Sequence, residues 1–254
     1  MNLYFDKSIA SQYTSNSQRI RVMSESWVEN NIYCPCCGSP HIVKLDNNKP
    51  VADFQCDSCG EIFELKSKNG KIDSKIADGA YGTMIERITS TTNPDLFVLR
   101  YANTLNVIDL IIIPKFFFVP QVIEKRKPLS NTARRAGWVG CNILLSEIPQ
   151  QGRIPIIRNQ QVVDPKEVVE RYRDISKLQT NSIESRSWLF DVLNCVNRID
   201  KVQFTLSEVY DFKDELKCQH PDNHNVEAKI RQQLQVLRDK GILEFVDRGV
   251  YRKI

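Results

Sequence analysis

Two cysteine pairs with metal-ligand spacing constrain the fold of this chain more than any other feature. Two residues separate Cys34 from Cys37 and Cys56 from Cys59, and a glycine follows each pair. Such pairs can bring four thiolates around one ion in a tetrahedral site, for which Zn²⁺ is the usual occupant. Because four protein ligands fill the site, the zinc is expected to be structural. Cys36 lies inside the first pair, but its neighbour Cys37 has the required spacing.

Carboxylates and a lysine flank the second cysteine pair. Asp53 precedes it, and Glu64, Leu65 and Lys66 follow it in a strand-like segment. Alternate side chains of a strand share a face, and a hairpin across the cysteines brings Asp53 beside Glu64 and Lys66. Two carboxylates bind a hard cation such as Mg²⁺, which stabilises charge on a phosphodiester, and a lysine can position and help deprotonate the attacking water. An ordinary edge strand with alternating charges has the same pattern.

Helical and strand-like segments alternate around these residues. Helices are predicted over residues 16–31 and 74–88. Strands are predicted over residues 49–55, 61–67, 96–102 and 107–113. Helix, strands, helix, strands is the core order of a PD-(D/E)xK nuclease, so we predict an α/β domain of this type over residues 1–180, stiffened by the four-cysteine zinc site. Asp164 and Pro165 indicate the start of a further helix, and polar residues 179–182 indicate a linker.

Residues 181–254 predict a second domain of the winged-helix type. Three helical segments, over residues 185–196, 207–216 and 225–240, precede a β-hairpin. The third helix is expected to expose Arg231, Gln232, Gln233 and Gln235. Arg and Gln can bind base edges when such a helix enters the major groove. Winged helices also bind proteins, and this segment has 12 basic and 12 acidic residues, so its charge alone does not indicate DNA.

Basic residues are concentrated in one segment of a chain whose net charge is only +4. Residues 115–158 contain eight Lys or Arg and two Glu, which gives this segment a charge of +6. A local basic segment in a nearly neutral protein is typical of a site for a polyanion, although a solvated surface has the same composition. The chain has no apolar run near the ~20 residues that span a bilayer and no signal peptide at its start, so we expect a cytoplasmic protein whose cysteines bind metal.

Longer blocks of the sequence resemble the DpnI-type methyl-directed restriction endonucleases over essentially the whole chain. They lie at residues 15–18, 34–35, 37–38, 47–48, 50–54, 63–68, 78–81, 126–129, 132–138, 140–143 and 230–235, and include Phe63-Glu-Leu-Lys-Ser-Lys68 and Thr132-Ala-Arg-Arg-Ala-Gly-Trp138. The resemblance implies cleavage of double-stranded G-A-T-C sites carrying N6-methyladenine, by a monomer without an obligatory protein partner. It also implies that both domains bind the methylated site.

The resemblance implies a role for each site residue. Asp53, Glu64 and the Leu65 carbonyl are expected to hold Mg²⁺, and Lys66 to serve the attacking water. Cys34, Cys37, Cys56 and Cys59 are expected to hold zinc. The spacer between the cysteine pairs, Cys36 and residues 218–226 depart from the family pattern, which puts surface contacts in doubt.

Trp138 is a candidate for contact with the methyl group. It follows Arg134 and Arg135 in the basic segment, and an exposed indole offers the apolar contact that a methyl group in the major groove requires. Alternatively, Trp138 is a core residue at the start of a strand over residues 139–144.

Two other functions remain open. A zinc-containing regulator with a winged helix would bind DNA without cutting it, and a nuclease of the same fold could have another specificity. If the protein is a regulator, the spacing of Asp53, Glu64 and Lys66 is a coincidence. Residue chemistry alone does not distinguish a nuclease of another specificity from one that cuts methylated sites.

Overall fold

The computed structural model of the chain describes residues 1–46, 52–72, 74–90, 92–180 and 182–254. Two compact units are present, one of Met1–Ser146 with Gln151–Ser176 and one of Glu147–Gln150 with Lys177–Ile254. Part of the strand predicted over residues 49–55, the sequence block over residues 47–48, part of the block over residues 50–54, and Asn181 at the predicted domain boundary lie outside the described residues.

The first unit has a mixed α/β fold with two sheets. Its strands are β1 (Val43–Lys44), β2 (Phe54–Gln55), β3 (Ile62–Asn69), β4 (Lys75–Ala80), β5 (Asp95–Tyr101), β6 (Val107–Ile113), β7 (Ile123–Lys125), β8 (Gly140–Leu144), β9 (Ile154–Arg158) and β10 (Gln161–Val162). The larger sheet has the order β1-β2-β3-β5-β6-β9-β10, and the smaller has the order β4-β8-β7. β3 and β5 run parallel, whereas β2 and β3 form an antiparallel hairpin across the second cysteine pair.

The centre of the larger sheet is apolar on both faces. Phe63 of β3 stacks on Phe97 of β5 with ring centroids 5.0 Å apart, and both side chains are fully buried. Val107–Ile113 forms β6 over the residues predicted from its apolar run. Strands covered on both sides carry such near-continuous apolar sequences. Parallel pairing with β5 places β3 beside this apolar centre. Each buried phenylalanine stabilises this arrangement by roughly 1.5–3 kcal/mol.

Three helices complete the first unit: α1 (Asn16–Asn31), α2 (Tyr81–Thr89) and α3 (Pro165–Ser176). α1 has the predicted bounds and buries Met23 and Trp27, which follow the helical spacing. Before α3, the Asp164 carboxylate accepts a hydrogen bond of 2.8 Å from the Lys166 amide, as expected for an N-terminal cap.

The helix predicted over residues 74–88 is wrong in its first half. Residues Lys75–Ala80 form β4, which pairs antiparallel with β8, and only Tyr81–Thr89 is helical. The spacing of Ile76, Met84 and Ile88 fits a helix, but pairing with β8 places Ile76 opposite Ile143 in a buried position. Tertiary pairing therefore determines the structure where the local pattern favours a helix, and Gly79 lowers the helical preference further.

The second unit combines helices with a small antiparallel sheet. Its elements are α4 (Ile183–Arg198), β11 (Gln203–Thr205), α5 (Leu206–Tyr210), α6 (Lys213–Gln219), α7 (Val226–Asp239), β12 (Leu243–Asp247) and β13 (Val250–Lys253). The sheet has the order β11-β13-β12. Thr205 and Glu208 form a capping box that starts α5. The single helix predicted over residues 207–216 is divided into α5 and α6.

Candidate functional site

The four predicted zinc ligands lie together in the structure. The sulfur atoms of Cys34, Cys37, Cys56 and Cys59 are all within 4.8 Å of one another. Sγ of Cys34 is 3.7 Å from Sγ of Cys59, and Sγ of Cys37 is 3.7 Å from Sγ of Cys56. Four sulfurs at ~2.3 Å from a tetrahedral ion stand about 3.8 Å apart, so these separations fit Zn²⁺. Both of these short distances join one cysteine pair to the other, as a shared ion requires.

Tight backbone turns direct these thiols. The Gly38 amide donates to the Cys34 carbonyl at 2.9 Å, and the Gly60 amide donates to the Cys56 carbonyl at 2.8 Å. The φ angles of Gly38 and Gly60 are +79° and +75°, in the left-handed region that glycine adopts without strain. The glycine after each pair is therefore the residue that allows the turn to close.

Cys36 has a different contact from its neighbours. Its thiol donates to Oδ2 of Asp95 at 3.5 Å, and the same oxygen accepts a 2.7 Å hydrogen bond from the Tyr172 hydroxyl. Oδ1 of Asp95 accepts from the Lys115 amide at 2.8 Å. Burial raises the pKa of the fully buried Asp95 to about 7. Sequence reasoning missed Asp95, because no local pattern indicates that a carboxylate before an apolar strand faces a cysteine turn.

The hairpin of β2 and β3 brings Asp53 beside Glu64, Leu65 and Lys66. The Asp53 amide donates to the Phe63 carbonyl at 2.8 Å, which continues the pairing of the two strands. Oδ2 of Asp53 accepts a 2.7 Å hydrogen bond from the Leu65 amide. On the face of β3 that Glu64 and Lys66 share, Nζ of Lys66 is 2.6 Å from Oε1 of Glu64. The predicted residues therefore form one cluster at the edge of β3.

Two further side chains hold this cluster. Nζ of Lys66 is 2.6 Å from Oδ1 of Asp78, and a guanidinium nitrogen of Arg87 is 2.8 Å from Oε2 of Glu64. Asp78 lies at an irregularity in the pairing of β4 with β8, and its carboxylate also accepts a 2.7 Å hydrogen bond from the Gly79 amide. The sequence block over residues 78–81 contains Asp78, but no signal in the sequence joined Arg87 to Glu64.

The environment shifts the pKa values of two members of the cluster. Burial raises the pKa of Asp53, and the hydrogen bond from the Leu65 amide opposes this effect. For Lys66, burial is the largest effect and lowers the pKa, but the charges of Glu64 and Asp78 together hold the pKa above its usual range. Lys66 is therefore an ammonium at neutral pH in this arrangement.

Trp138 lies in the basic loop between β7 and β8. Its side chain is half-buried, and the Arg135 guanidinium lies over the indole, 4.8 Å from the ring centroid. A Cβ at Gly140 would stand 2.8 Å from the indole, so the absence of a side chain there makes room for the ring. Arg134 and Arg135 are exposed. The structure thus places Trp138 with the predicted arginines, outside the fully buried core.

α7 presents three of its predicted polar side chains to solvent. Arg231, Gln232 and Gln235 are exposed, and Arg231 donates a hydrogen bond to the Tyr210 hydroxyl. Gln233 was expected to be exposed but is buried. It belongs to the buried positions 230, 233, 234 and 237, whose spacing is that of one helix side.

Family models match both parts of the chain. The DpnI model, described as the Dam-replacing family, matches residues 1–181, and the DpnI_C model, described as the Dam-replacing HTH domain, matches residues 184–253. The chain belongs to the Dam-replacing family. The resemblance to DpnI-type endonucleases that the sequence blocks indicate is therefore confirmed over the whole chain.

Membership in the Dam-replacing family implies methyl-directed restriction of DNA, and hence a nuclease. The helix-turn-helix match indicates that the second part of the chain binds DNA. Among the helices of the described residues, none has both the length and the apolar composition required to cross a membrane.

The oxygens at the edge of β3 are suited to Mg²⁺ by type. In a strand, the N–H and C=O of one residue point to the same side, so the Leu65 carbonyl faces the edge at which its amide contacts Asp53. Carboxylate and carbonyl oxygens are the ligands that Mg²⁺ prefers. Among groups of three or more Cys, His, Asp or Glu side chains in the described residues, only the four cysteines bring their ligand atoms within 4.8 Å of one another. Glu64 instead pairs with Lys66 and Arg87.

Proposed function

We propose that this member of the Dam-replacing family is a Mg²⁺-dependent restriction endonuclease that cuts double-stranded DNA at G-A-T-C sites carrying N6-methyladenine. The observation that supports the catalytic assignment is the cluster of Asp53, Glu64 and Lys66 at the edge of β3. Residues 1–180 form a PD-(D/E)xK nuclease domain in this proposal, and residues 181–254 form a winged helix. The chain acts as a monomer.

The chemistry follows from the positions of these groups. Asp53, Glu64 and the Leu65 carbonyl would hold Mg²⁺, which would supply stabilisation of the negative charge that develops on the phosphodiester. The Lys66 ammonium orients the attacking water and offsets charge on the phosphate, because Glu64 and Asp78 keep it protonated. Arg87 holds the second oxygen of Glu64, so the carboxylate has a fixed orientation before substrate arrives. The cysteine cluster stiffens the hairpin that carries Asp53 and β3.

Methylated DNA is bound by two surfaces in this proposal. The basic loop offers the guanidinium groups of Arg134 and Arg135 to phosphates and the indole of Trp138 to the methyl group. On α7, the exposed side chains of Arg231, Gln232 and Gln235 are of the types that bind base edges.

A plasmid digestion tests the proposal directly. The same plasmid is prepared with and without N6-methyladenine in its G-A-T-C sites, and each form is incubated with the full chain with and without Mg²⁺. Only the methylated plasmid with Mg²⁺ is expected to be cut, and sequencing of the ends should place every cut at G-A-T-C. Size measurement of the free protein in solution tests the monomer.

Other outcomes identify the alternatives. Equal cutting of both plasmids would indicate a nuclease of another specificity. Binding of methylated DNA without cutting at any Mg²⁺ concentration would indicate a regulator, for which the position of Asp53 beside Glu64 has no catalytic meaning.

A further inference from the structure

The side of α1 that faces β3 is unusually polar for a helix packed on a sheet. Ser17, Arg21, Ser24 and Glu25 lie on this side at helical spacing, and Ser24 and Glu25 are buried. The Ser24 hydroxyl is 2.8 Å from the hydroxyl of Ser67 on β3. A helix usually turns apolar residues toward a sheet, because buried polar groups cost free energy even when they are paired. A buried ionic group is weak support for stability, so this side of α1 calls for another explanation.

A cavity of about 410 Å³ lies between this side of α1 and the edge of β3. Its lining includes Ser17, Arg21 and Glu25 from α1 and Leu65, Lys66 and Ser67 from β3. Leu65 and Lys66 also belong to the candidate active site, because the Leu65 amide donates to Asp53 and Lys66 pairs with Glu64. The cavity therefore continues from the catalytic cluster along the same strand edge.

Ion pairs fix the orientation of Arg21 at this cavity. Nε of Arg21 is 2.5 Å from one oxygen of Glu25, and Nζ of Lys44 is 2.9 Å from the other. The Glu25 side chain is only 5% exposed, whereas that of Arg21 is 58% exposed. The hydrogen bond and charge of Glu25, and to a smaller extent the charge of Asp53, raise the pKa of Arg21. The buried Glu25 carboxylate thus anchors the Arg21 guanidinium at the cavity.

We propose that this cavity binds a backbone phosphate of the DNA strand next to the phosphodiester that is cut, with Arg21 as the contact and Glu25 as its positioning residue. The inference rests on the proposed nuclease function, which places the cut phosphodiester at Asp53 and Lys66. Phosphates recur every ~3.4 Å of helix axis along one strand, so a neighbouring phosphate must lie close to that site. Guanidinium, hydroxyl and ammonium groups are the donors that bind phosphate oxygens, and guanidinium can do so with two parallel hydrogen bonds.

The chain offers a matched control for Arg21. Arg19 is a half-buried residue of the same helix, and a separation of two residues places it about 200° away around the helix axis. Arg21→Gln and Arg19→Gln remove the same charge from opposite sides of α1. Binding of a methylated G-A-T-C duplex is measured without Mg²⁺ over a range of salt concentrations, together with the melting temperature of each variant.

The expected results separate the two arginines. Arg21→Gln should weaken binding roughly tenfold or more, and should make the slope of log K against log salt shallower by about 0.9, the value for one phosphate. Arg19→Gln should change the affinity less than about twofold and leave the slope unchanged. Equal effects of the two substitutions would overturn the inference.

A scan of the DNA backbone identifies the phosphate. Duplexes are prepared with one neutral methylphosphonate at a time on either side of the cut position. In the wild-type protein, one flanking methylphosphonate should weaken binding, and in Arg21→Gln the same replacement should cause no further loss. Additive losses at every position would exclude a contact between Arg21 and a flanking phosphate.

Two further measurements keep the outcomes distinct. If Arg21→Gln lowers the melting temperature, Arg21→Lys is scanned in its place, because it retains the charge opposite Glu25 but not the planar fork. The loss of affinity that the flanking methylphosphonate causes in Arg21→Lys must be smaller than the loss it causes in the wild type. An equal loss in the two proteins overturns the inference. Cleavage by the wild type with Mg²⁺ is recorded in parallel, because absence of cleavage would contradict the proposed function even if Arg21 were coupled to a phosphate.

Discussion

The hairpin of β2 and β3 contributes residues to two clusters of metal-binding side chains, and the two clusters differ in the contacts that their side chains make. Cys34, Cys37, Cys56 and Cys59 contact one another at distances that suit a tetrahedral ion. The carboxylates pair with cations and amides of the protein instead, since Glu64 contacts Lys66 and Arg87.

This difference indicates two uses of metal. A site whose ligands face only one another is complete with its ion, and its ion stabilises the fold. In a site whose carboxylates pair with an ammonium and a guanidinium, the side chains are already oriented. These ion pairs must rearrange, however, when a metal cation and a phosphate bind. The first cluster is therefore expected to control folding and the second to control rate.

The largest expected effect is that of removing a zinc ligand. Cys34→Ala should leave the first unit unfolded, because binding of a structural zinc is worth about 10–16 kcal/mol and a whole domain is stable by only about 5–15 kcal/mol. Circular dichroism and elemental analysis measure folding and zinc content. Purified, active wild-type protein without zinc would contradict this prediction.

Two other cysteines are controls for that experiment. Cys218→Ala changes an exposed cysteine of the second unit and should leave zinc content and melting temperature nearly unchanged. Cys36→Ser should also retain zinc, because a serine hydroxyl can replace the thiol as the donor to Asp95. Loss of zinc in Cys36→Ser would instead make Cys36 a ligand.

The second cluster should show the opposite behaviour. Asp53→Ala, Glu64→Ala and Lys66→Ala should each lower the cleavage rate by a factor on the order of 10³ or more, because several kcal/mol of charge stabilisation is lost. Each variant should fold, Asp53→Ala and Glu64→Ala should bind methylated DNA with little change, and omission of Mg²⁺ should leave the wild-type melting temperature unchanged. Glu86→Ala removes an exposed carboxylate from α2 and is the control. Cleavage by Asp53→Ala at the wild-type rate would refute the catalytic assignment.

A smaller effect is expected at the basic loop. Trp138→Ala should give a folded protein whose preference for methylated DNA falls by about 1–3 kcal/mol, because the half-buried indole is proposed to contact the methyl group. Cleavage of methylated and unmethylated duplexes is compared alongside the melting temperature, with Trp138→Phe as the variant that retains an aromatic face. A large loss of stability with unchanged discrimination would show that the indole serves the core.

The accuracy of the sequence predictions depended on the range of the interactions involved. The bounds of α1 and β6 were correct, because helical spacing and an apolar run are local signals that tertiary contacts reinforce. Cysteine spacing was sufficient to predict which sulfurs meet. The segment over residues 75–80 was misassigned because its partner strand β8 lies sixty or more residues further along the chain. Arg87, which holds Glu64, was missed for the same reason.

The smallest expected effect concerns Asp95, the carboxylate that contacts the cysteine turn through Cys36. Burial raises the pKa of Asp95 to about 7, so the folded protein binds its proton more tightly than the unfolded chain does. The resulting stability is fully present below the unfolded pKa of about 3.9 and is lost as the pH rises through about 7. Between about pH 6 and pH 8 this carboxyl should lower the free energy of unfolding by about 1 kcal/mol.

Asp95→Asn should remove that part of the pH dependence. The variant is expected to be less stable at every pH, because an amide cannot accept all the hydrogen bonds from Tyr172, Cys36 and the Lys115 amide. Its melting temperature should nevertheless change less between these two pH values than that of the wild type. Denaturant unfolding at a series of pH values measures the difference, with Asp109→Asn as a carboxylate control from the neighbouring strand β6. A wild-type slope in Asp95→Asn would mean that Asp95 is ionised throughout, and that its hydrogen bonds alone join the cysteine turn to the sheet.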